Sequence, residues 1–434
     1  MAEKKALGFF DLLSISLGQI IGSGVVIFTV TGIKMTGQGV PWAFLLALAI
    51  VILPSLSIAA LGAAVPNTGG TYTYVRDLIG PRTAFVYLAL LVAGQLVLAS
   101  YAIGFATYAG ELFSNINMTI TAAAVMSLCF VSNLLGVKVA ARFQSVMVLL
   151  LLVALVLFIA FGLPRVADFG VFTQVDTILP NGVGEFVAAG FLLRYSMIGS
   201  EFISELGGET RNPGKLIPKV MITSLLLVTV LYFLVAIVAS GVETDQQASV
   251  NSLAAVASSI FPTPIYLFFM VGGVMLALVT TLNSIFAWCT KGLFMAIKDG
   301  WLPNSLGVTN RFGTPYLLLT IFYFVGMLPI VSGMSLEYVN ILGNNVGIIF
   351  GIIPVLALVS LADKNPGAYS RATFKFSPLA NKIIPVAAFV IYVYGVYMGS
   401  AYVGVKGFAV LLIYTTIALT YAVVYYPRTQ VRPT

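Results

Sequence analysis

Long apolar segments dominate this sequence. Each has about 20 residues or more, which is the length that an α-helix needs to cross roughly 30 Å of bilayer hydrocarbon. Apolar and polar residues do not alternate along them, as they would in the strands of an outer-membrane barrel. The 434 residues are 59% hydrophobic and 9% charged, with a mean hydropathy of +1.03, which excludes an ordinary soluble domain. The sequence therefore predicts an all-α integral membrane protein.

Twelve transmembrane helices account for these segments. We place them at residues 11–32, 40–65, 82–113, 118–136, 140–163, 186–208, 217–241, 264–297, 314–333, 337–362, 383–402 and 407–426. No cleavable signal is expected, because a short charged start leads directly into the first span.

Lysine and arginine orient the predicted bundle, because cytoplasmic loops collect these residues. The outer loops hold only Lys34, Arg165 and Lys406, and Arg194 falls inside a span. The rest of the 22 Lys and Arg residues lie on the side of the N-terminus. We expect a multi-pass protein of the cytoplasmic membrane, surrounded by lipid, with both termini cytoplasmic. The net charge of +7 then reflects topology and does not indicate a nucleic-acid partner.

Glycine interrupts two spans at corresponding positions. Gly22-Ser23-Gly24 lies in the middle of the first span, and Gly199-Ser200 lies in the sixth. Spans one and six each begin a block of five helices. The pattern therefore predicts two inverted repeats whose broken helices face a site at mid-membrane. Unwound backbone there leaves amides that hold a carboxylate and carbonyls that hold an ammonium group or a cation.

Simpler explanations exist for parts of this pattern. Gly18 and Gly22 also form the G-x-x-x-G spacing of close helix packing. The sixth span, however, carries Arg194, Glu201 and Glu205. A charge in the middle of a span costs on the order of 3 kcal/mol or more, so Glu201 predicts a functional role. Glu205 is nearer the cytoplasmic end, where an interface position explains it equally well.

Three cytoplasmic-side segments resemble signatures of the amino acid, polyamine and organocation (APC) transporter superfamily. They are VPNTGGTYTYVRDLIG after span two, GGETRNPGKLIPKVM after span six and MAIKDGWLP after span eight. The resemblance covers spans one to ten. It implies a leucine-transporter-like fold, with one inverted five-helix repeat at residues 1–165, the second at 166–365, and two C-terminal helices with a tail at 366–434. It also implies amino acid or amine transport by alternating access.

The resemblance implies a substrate site between the two breaks. Backbone amides of the first break would receive the substrate carboxylate, and carbonyls of the second would face its amino group. Tyr195 would close over the substrate. Gln95 and Asn283 would line the pocket, although polar contact between helices explains these two equally well. The implied substrate-binding residues are Ile21, Gly22, Ser23, Gly24, Val25, Gln95, Tyr195, Ser196, Ile198 and Asn283.

Coupling to an ion is open at this point. The resemblance gives Glu201 a role in proton-linked gating, and the sequence contains no histidine, so a proton relay must use carboxylates. Thr280 and Thr281 match a region where sodium-coupled members of the fold place hydroxyl ligands, although such threonines also simply bond to backbone. No cofactor is expected beyond a sodium or proton coupling ion. The gating or coupling candidates are Glu201, Arg194, Glu205, Thr280 and Thr281.

Arg194 departs from the resemblance, which implies a small or apolar residue before Tyr195. Its guanidinium stays charged and needs a partner. Glu201 follows seven residues later, two helical turns away and on the same face. That spacing favours an internal ion pair, and the alternative is recognition of a second acidic group on the substrate.

The predicted function is therefore secondary active transport of an amino acid, as an exchanger or a cation-coupled symporter. The alternatives are an amino acid sensor on a transporter scaffold and a polyamine or amine antiporter. An enzyme is not expected, because the absence of histidine removes the commonest intramembrane catalytic constellations. The partner is a small-molecule amino acid, and a monomer and a homodimer both fit.

Overall fold

The protein is helical throughout the part described by the computed structural model, which covers residues 6–113, 115–242, 253–334, 339 and 351–426. Within these residues the only β-pairing consists of isolated bridges. The helices are α1 Phe9–Ile20, α2 Ser23–Thr36, α3 Val40–Ala64, α4 Gly70–Leu78, α5 Pro81–Gly94, α6 Val97–Leu112, α7 Met118–Leu134, α8 Val137–Gly162, α9 Val175–Ile178, α10 Gly182–Leu193, α11 Pro213–Gly241, α12 Leu253–Ile260, α13 Thr263–Phe268, α14 Leu276–Trp288, α15 Thr290–Lys298, α16 Tyr316–Val331, α17 Leu361–Lys364, α18 Pro366–Arg371 and α19 Ala380–Tyr425.

Helix length and composition agree with a multi-pass membrane protein. Among the described residues, six helical stretches are long and apolar enough to cross a bilayer: Gly24–Ala64, Pro81–Leu112, Val137–Arg165, Gly182–Glu205, Pro213–Gly241 and Thr263–Lys298. Shorter apolar helices coincide with further predicted spans. The tenth predicted span, at 337–362, falls mostly outside the described residues. The all-helical prediction is confirmed, whereas the count of twelve and the division into repeats stay predictions.

Both predicted helix breaks are present. The first span is divided into α1 and α2 by the non-helical residues Ile21 and Gly22. In the sixth span, α10 ends at Leu193 and is followed by short 3-10 helices at Arg194–Ser196 and Ser200–Glu205. Gly199 lies between them with φ 145°, a conformation that residues with a Cβ rarely adopt.

Span eight contains a π-helix at Phe269–Met275, between α13 and α14. A π-helix has i→i+5 hydrogen bonds, so it accommodates an extra residue within a helix. The Phe269 ring stacks on Phe158 of α8, with centroids 5.1 Å apart. A Cβ added to Gly273 would lie 3.2 Å from the Cβ of Ala154, also in α8. The π-helix therefore packs closely against the fifth span.

The predicted loop between the last two spans, at residues 403–406, is wrong. Helical backbone continues through it, because α19 runs from Ala380 to Tyr425. The physical reason is that Gly404 is the one weak helix former in this segment, and a single glycine costs only about 1 kcal/mol.

The two ends of α19 meet neighbouring parts of the bundle. Near its start, Lys382 Nζ lies 3.3 Å from Asp363 Oδ2. Near its end, the Tyr421 hydroxyl donates to the carbonyl oxygen of Trp301 at 2.8 Å. Asp363 follows the 3-10 helix Ala357–Ser360, and Trp301 follows α15. Both of these helices contact α4. Each end of α19 therefore makes a polar contact with another part of the bundle.

The broken first span lies in the interior. Residues Ile15–Ile20 of α1 are all buried, and α1 contacts α8, α11 and α14. On the other side of the break, α2 contacts α3 and α10. Apolar side chains on all of these helices form two buried clusters. This packing holds the first break against the second.

Candidate binding site

A cavity of about 280 Å³ lies where the two breaks meet. This volume is near the lower end of the range for small-molecule sites. It is bordered by spans one, three and six, and also by residues of α3, α14 and α19. The predicted site residues that line it are Gly22, Gly24, Gln95, Arg194, Tyr195, Ser196, Ile198 and Glu201.

Glycine permits the close approach of the two breaks. A Cβ added to Gly24 would lie 2.6 Å from the Cβ of Ser196 and 2.7 Å from its Cα. A Cβ on Gly199 would lie 2.9 Å from the Cγ of Gln19. Distances this short do not occur between ordinary side chains, so larger residues would separate the two broken helices. The backbone at the start of α2 therefore faces the second break directly.

The helix beginning at Ser23 presents unpaired backbone amides beside the cavity, an arrangement that favours an anion. Its first amide groups have no intrahelical acceptor, and the helix dipole adds partial positive charge there. Gly22 and Gly24 border the cavity. Ile21 and Val25, which were also predicted to belong to the site, have side chains that are fully buried and do not line it. Their contribution is therefore limited to backbone.

Aromatic rings form part of the cavity wall. The rings of Phe202 and Trp288 stack with centroids 4.0 Å apart and planes within 5°. Trp288 Nε1 donates a hydrogen bond to Gln19 Oε1 at 2.9 Å. On another part of the wall, the rings of Phe28 and Tyr195 lie 6.3 Å apart. Three further lining residues were not predicted from the sequence, Gln19, Phe202 and Trp288, although Phe202 directly follows the predicted Glu201.

Arg194 is buried in the cavity wall, and no described residue serves as its counter-ion. Its side chain is only 3% exposed, and its Cζ lies 4.5 Å from the ring centroid of Tyr195 and 5.9 Å from that of Tyr392. Its Nε and Nη2 are buried and have no hydrogen-bond partner among the described residues. The aromatic faces provide cation–π contacts, but they do not neutralise the charge.

The predicted ion pair between Arg194 and Glu201 is not formed. Glu201 Oε2 instead accepts a hydrogen bond from the amide of Gly199 at 3.0 Å. No carboxylate of the described residues lies within ion-pairing distance of Arg194. The spacing of seven assumed a continuous helix, and the break at Gly199 turns Glu201 away. Both side chains nevertheless border the same cavity.

Glu205 is buried, so a solvated interface position does not describe it. Its side chain accepts hydrogen bonds from the amide of Thr71, at 3.0 Å, and from the Thr71 hydroxyl. The Tyr87 hydroxyl donates to the same Thr71 oxygen at 2.7 Å. The amide of Gly69 donates to the Glu205 carbonyl oxygen at 3.0 Å. Glu205 thus joins the sixth span to the beginning of α4.

Thr280 and Thr281 lie beside the first break but outside the cavity lining. The Thr281 hydroxyl donates to the carbonyl oxygens of Gly18 at 2.9 Å and Ala277 at 3.1 Å. The Thr280 hydroxyl donates to Ala277 at 2.9 Å. This set consists of neutral oxygens, the ligand type that hard monovalent and divalent cations prefer. Within the described part of the chain, no three His, Cys, Asp or Glu side chains form a metal-binding group.

Asn283 does not line the cavity. Its Oδ1 accepts hydrogen bonds from Ser132 at 2.7 Å and Asn133 at 2.9 Å, and its Nδ2 donates to Gln144 Oε1 at 2.8 Å. These partners belong to α7 and α8. The helix-contact explanation therefore describes Asn283 better than the pocket-lining prediction does. Gln95 does border the cavity, and its Oε1 is buried without a partner in the described residues.

A second polar network lies away from the cavity, between α4 and the segment after span eight. The Tyr72 hydroxyl donates to Asp299 Oδ2 at 2.7 Å, and Arg76 Nη1 lies 2.9 Å from the same atom. Burial raises the pKa of Tyr72, and the Asp299 carboxylate raises it further. The phenol therefore stays a hydrogen-bond donor. These residues belong to two of the segments that carry the family resemblance.

The comparisons with known proteins identify the family. The family model described as "Amino acid permease" matches residues 7–425, which is nearly the whole chain. The chain belongs to this amino acid permease family. The predicted resemblance to APC transporters is thereby confirmed, and so is the expectation that the protein is not an enzyme.

Individual relatives differ in the substrates that their names give. The branched-chain amino acid permease BcaP of Bacillus subtilis is 29% identical over 83% of this chain and 80% of its own length. The serine/threonine exchanger SteT of the same organism is 29% identical over 54% of each chain. A methylthioribose transporter, also from Bacillus subtilis, is 23% identical over 86% of this chain and 85% of its own. Substrate assignment must therefore come from the cavity.

Proposed function

We propose that this permease is a secondary active transporter that moves amino acids across the cytoplasmic membrane by alternating access. The cavity between the two helix breaks is the observation that carries the proposal. It places the start of α2 opposite the interrupted segment from Arg194 to Glu201. A helix start attracts a carboxylate, and interrupted helical backbone offers carbonyl oxygens to an ammonium group. An amino acid has both groups on one carbon.

The polar atoms around the cavity support this orientation. Gly24 brings the first amides of α2 to one wall. Gln95 contributes a side-chain oxygen that has no partner among the described residues, and Glu201 contributes a carboxylate. Both are acceptors suited to an ammonium group. Tyr195 provides an aromatic surface for the substrate.

Alternating access requires the barriers on the two sides of the site to open in turn. On the side of the cavity towards Glu205, Phe202 stacks on Trp288. On the same side, the amide and hydroxyl of Thr71 donate hydrogen bonds to the Glu205 carboxylate, and both contacts would have to open for release to the cytoplasm. The glycine-containing breaks supply the points about which half-helices can move. Movement there would expose the cavity without unfolding a span.

The coupling ion has two candidate sites. The oxygens of Gly18, Ala277, Thr280 and Thr281 fit sodium, since they form a compact neutral set. Glu201 is the candidate proton carrier, because its carboxylate borders the substrate cavity. Exchange without an ion gradient is the third mode. Each mode predicts a different response of uptake to internal substrate, to a sodium gradient and to a pH gradient.

Counterflow into liposomes tests the proposal. The purified protein is reconstituted with a panel of internal amino acids and amines, and sodium and pH gradients are imposed separately. Uptake that requires internal substrate establishes exchange, whereas uptake driven by one gradient establishes symport with that ion. Binding of amino acids without any uptake would overturn transport in favour of a sensor, and uptake of amines alone would favour an amine antiporter.

A further inference from the structure

We infer that Arg194 is a specificity-determining residue, and that the substrates are amino acids with a second anionic group on the side chain, as in aspartate and glutamate. This inference rests on the proposed function, because it assigns the substrate class of the same cavity. The carrying observation is a buried cation in the cavity wall, two of whose nitrogens have no hydrogen-bond partner among the described residues.

An uncompensated guanidinium at this place is costly. Arginine stays protonated in proteins, and a charge in the middle of a span costs several kcal/mol unless another group pairs with it. Arg194 has no carboxylate partner among the described residues. Among the described residues, the rings of Tyr195 and Tyr392 lie close enough for cation–π contacts with it. An anion that enters the cavity would supply the missing counter-charge.

The Nε and Nη2 atoms of Arg194 are spaced to donate to the two oxygens of one carboxylate. Nε and Nη2 lie on one edge of the planar guanidinium, and their N–H bonds point in the same direction. This edge binds both oxygens of one carboxylate with two parallel hydrogen bonds. A neutral side chain cannot satisfy both donors in this way while also neutralising the charge. The arrangement therefore favours an anionic side chain over its amide analogue.

Neighbouring residues hold the guanidinium in position. Tyr195 lies beneath it at 4.5 Å, and Tyr392 of α19 lies at 5.9 Å. Gly395, one turn further along α19, leaves the space that the guanidinium occupies: a Cβ there would lie 2.9 Å from Nη2. Glu201, the other charged group of the cavity wall, is bonded to the Gly199 amide instead. Arg194 thus has no carboxylate partner among the described residues, and because Nε and Nη2 are buried beside Gly395, a ligand reaches them only when the arginine side chain or α19 shifts.

The substrate carboxylates would occupy two different places. The start of α2 takes the α-carboxylate, as in the proposed function. The second carboxylate lies against Arg194, at the outer end of the second break, beside Tyr195. The ammonium group faces Gln95 and Glu201. One cavity thereby provides a separate partner for each charged group of an acidic amino acid.

Direct comparison of acids with their amides tests the inference in the wild-type protein. Thermal stabilisation and liposome counterflow are measured with L-glutamate, L-glutamine, L-aspartate, L-asparagine, L-leucine and L-serine. We expect at least one acid to bind about tenfold or more tightly than its amide, the ratio typical of a lost charge-assisted hydrogen bond. Equal or tighter binding of both amides would overturn the inference.

Substitution of the arginine provides the second arm. Arg194→Gln should remove the preference for the acid over its amide, and Arg194→Lys should restore part of that preference. Arg311→Gln is the matched control, because Arg311 is exposed and also lies over an aromatic ring, 4.7 Å from the centroid of Phe312. An unchanged preference in Arg194→Gln would overturn the assignment. If that variant does not fold, the wild-type comparison decides alone.

The two proposals fail in different ways. Counterflow of neutral amino acids with no response to acids refutes the role of Arg194 and leaves amino acid transport intact. Tight binding of acids without counterflow refutes transport and supports the role of Arg194. A double-mutant cycle on Arg194→Met and Glu201→Gln adds a check. Strong mutual rescue of the melting temperature, with unchanged substrate preference, would show that Glu201 neutralises the arginine and would overturn the inference.

Discussion

The indole of Trp288 joins two other spans at one place. It stacks on Phe202 with ring centroids 4.0 Å apart, and its Nε1 donates to Gln19 Oε1 at 2.9 Å. Gln19 belongs to α1, Phe202 to the second break and Trp288 to the end of α14. A single side chain therefore connects both broken spans to the eighth, directly beside the cavity.

Loss of Trp288 should weaken this barrier. Trp288→Phe keeps a ring for stacking and loses the hydrogen bond, whereas Trp288→Leu loses both. We expect Trp288→Leu to lower the melting temperature more and to increase passive leak of preloaded substrate, because large buried aromatic side chains contribute about 3 to 5 kcal/mol. Trp42→Leu is the control, since Trp42 is 38% exposed and lies outside the cavity. Equal leak from both leucine variants would contradict the barrier role.

Gly24→Ala should prevent substrate binding. The added Cβ would lie 2.6 Å from the Cβ of Ser196, so the two breaks must separate and the start of α2 must move. Gly184→Ala is the matched control, because nothing lies within 4 Å of a Cβ at that helical position. Substrate-induced thermal stabilisation measures the effect. Retained stabilisation in Gly24→Ala would place the substrate elsewhere.

Glu205→Ala should destabilise the folded protein. It would leave the amide and hydroxyl of Thr71 buried without their acceptor, at a cost of about 1 to 3 kcal/mol for each unsatisfied group. Glu205→Gln keeps one acceptor oxygen and should lose less. The exposed Glu185 provides a control in Glu185→Ala. Melting temperatures in detergent that are equal for the three variants would contradict a structural role for Glu205.

Glu201→Gln should remove any pH dependence of transport that arises from this carboxyl. Glutamine resembles the protonated acid, so the variant cannot exchange a proton during the cycle. Uptake of wild type and variant is compared from about pH 5 to pH 8, the range over which such exchange commonly acts. Asp168→Asn, in an exposed loop, controls for loss of a carboxylate. A variant profile that follows the wild type would exclude Glu201 as the proton carrier.

Local sequence features predicted the parts of the site that depend on backbone. Glycine clusters within apolar runs indicated both breaks, because glycine is the residue that tolerates Gly199's φ of 145°. The same glycines explain the close contact of Gly24 with Ser196. The order of the three resemblance segments then indicated the family. These signals lie within short stretches and need no knowledge of packing.

Contacts between distant helices could not be predicted in the same way. The spacing of Arg194 and Glu201 implied a pair only if the helix continued, and the break that the glycines predict also removes that pair. Asn283 was a polar residue in a suitable span, but its rotation about α14 directs it to Gln144. The hydrogen bond of Gln19 to Trp288 joins residues that are 269 positions apart. Such partners depend on how the helices pack.

The π-helix at Phe269–Met275 gives the eighth span one more residue than a regular α-helix of the same path would hold. An extra residue in such a turn can be removed to restore an ordinary α-helix. That deletion would rotate everything before it by about 100° relative to α14, and would turn Phe269 away from Phe158. Relatives that differ by one residue in this span should therefore carry their alignment gap within residues 269–275. An insertion or deletion between Met275 and Trp288 would instead rotate Trp288 relative to the π-helix and displace it from the cavity.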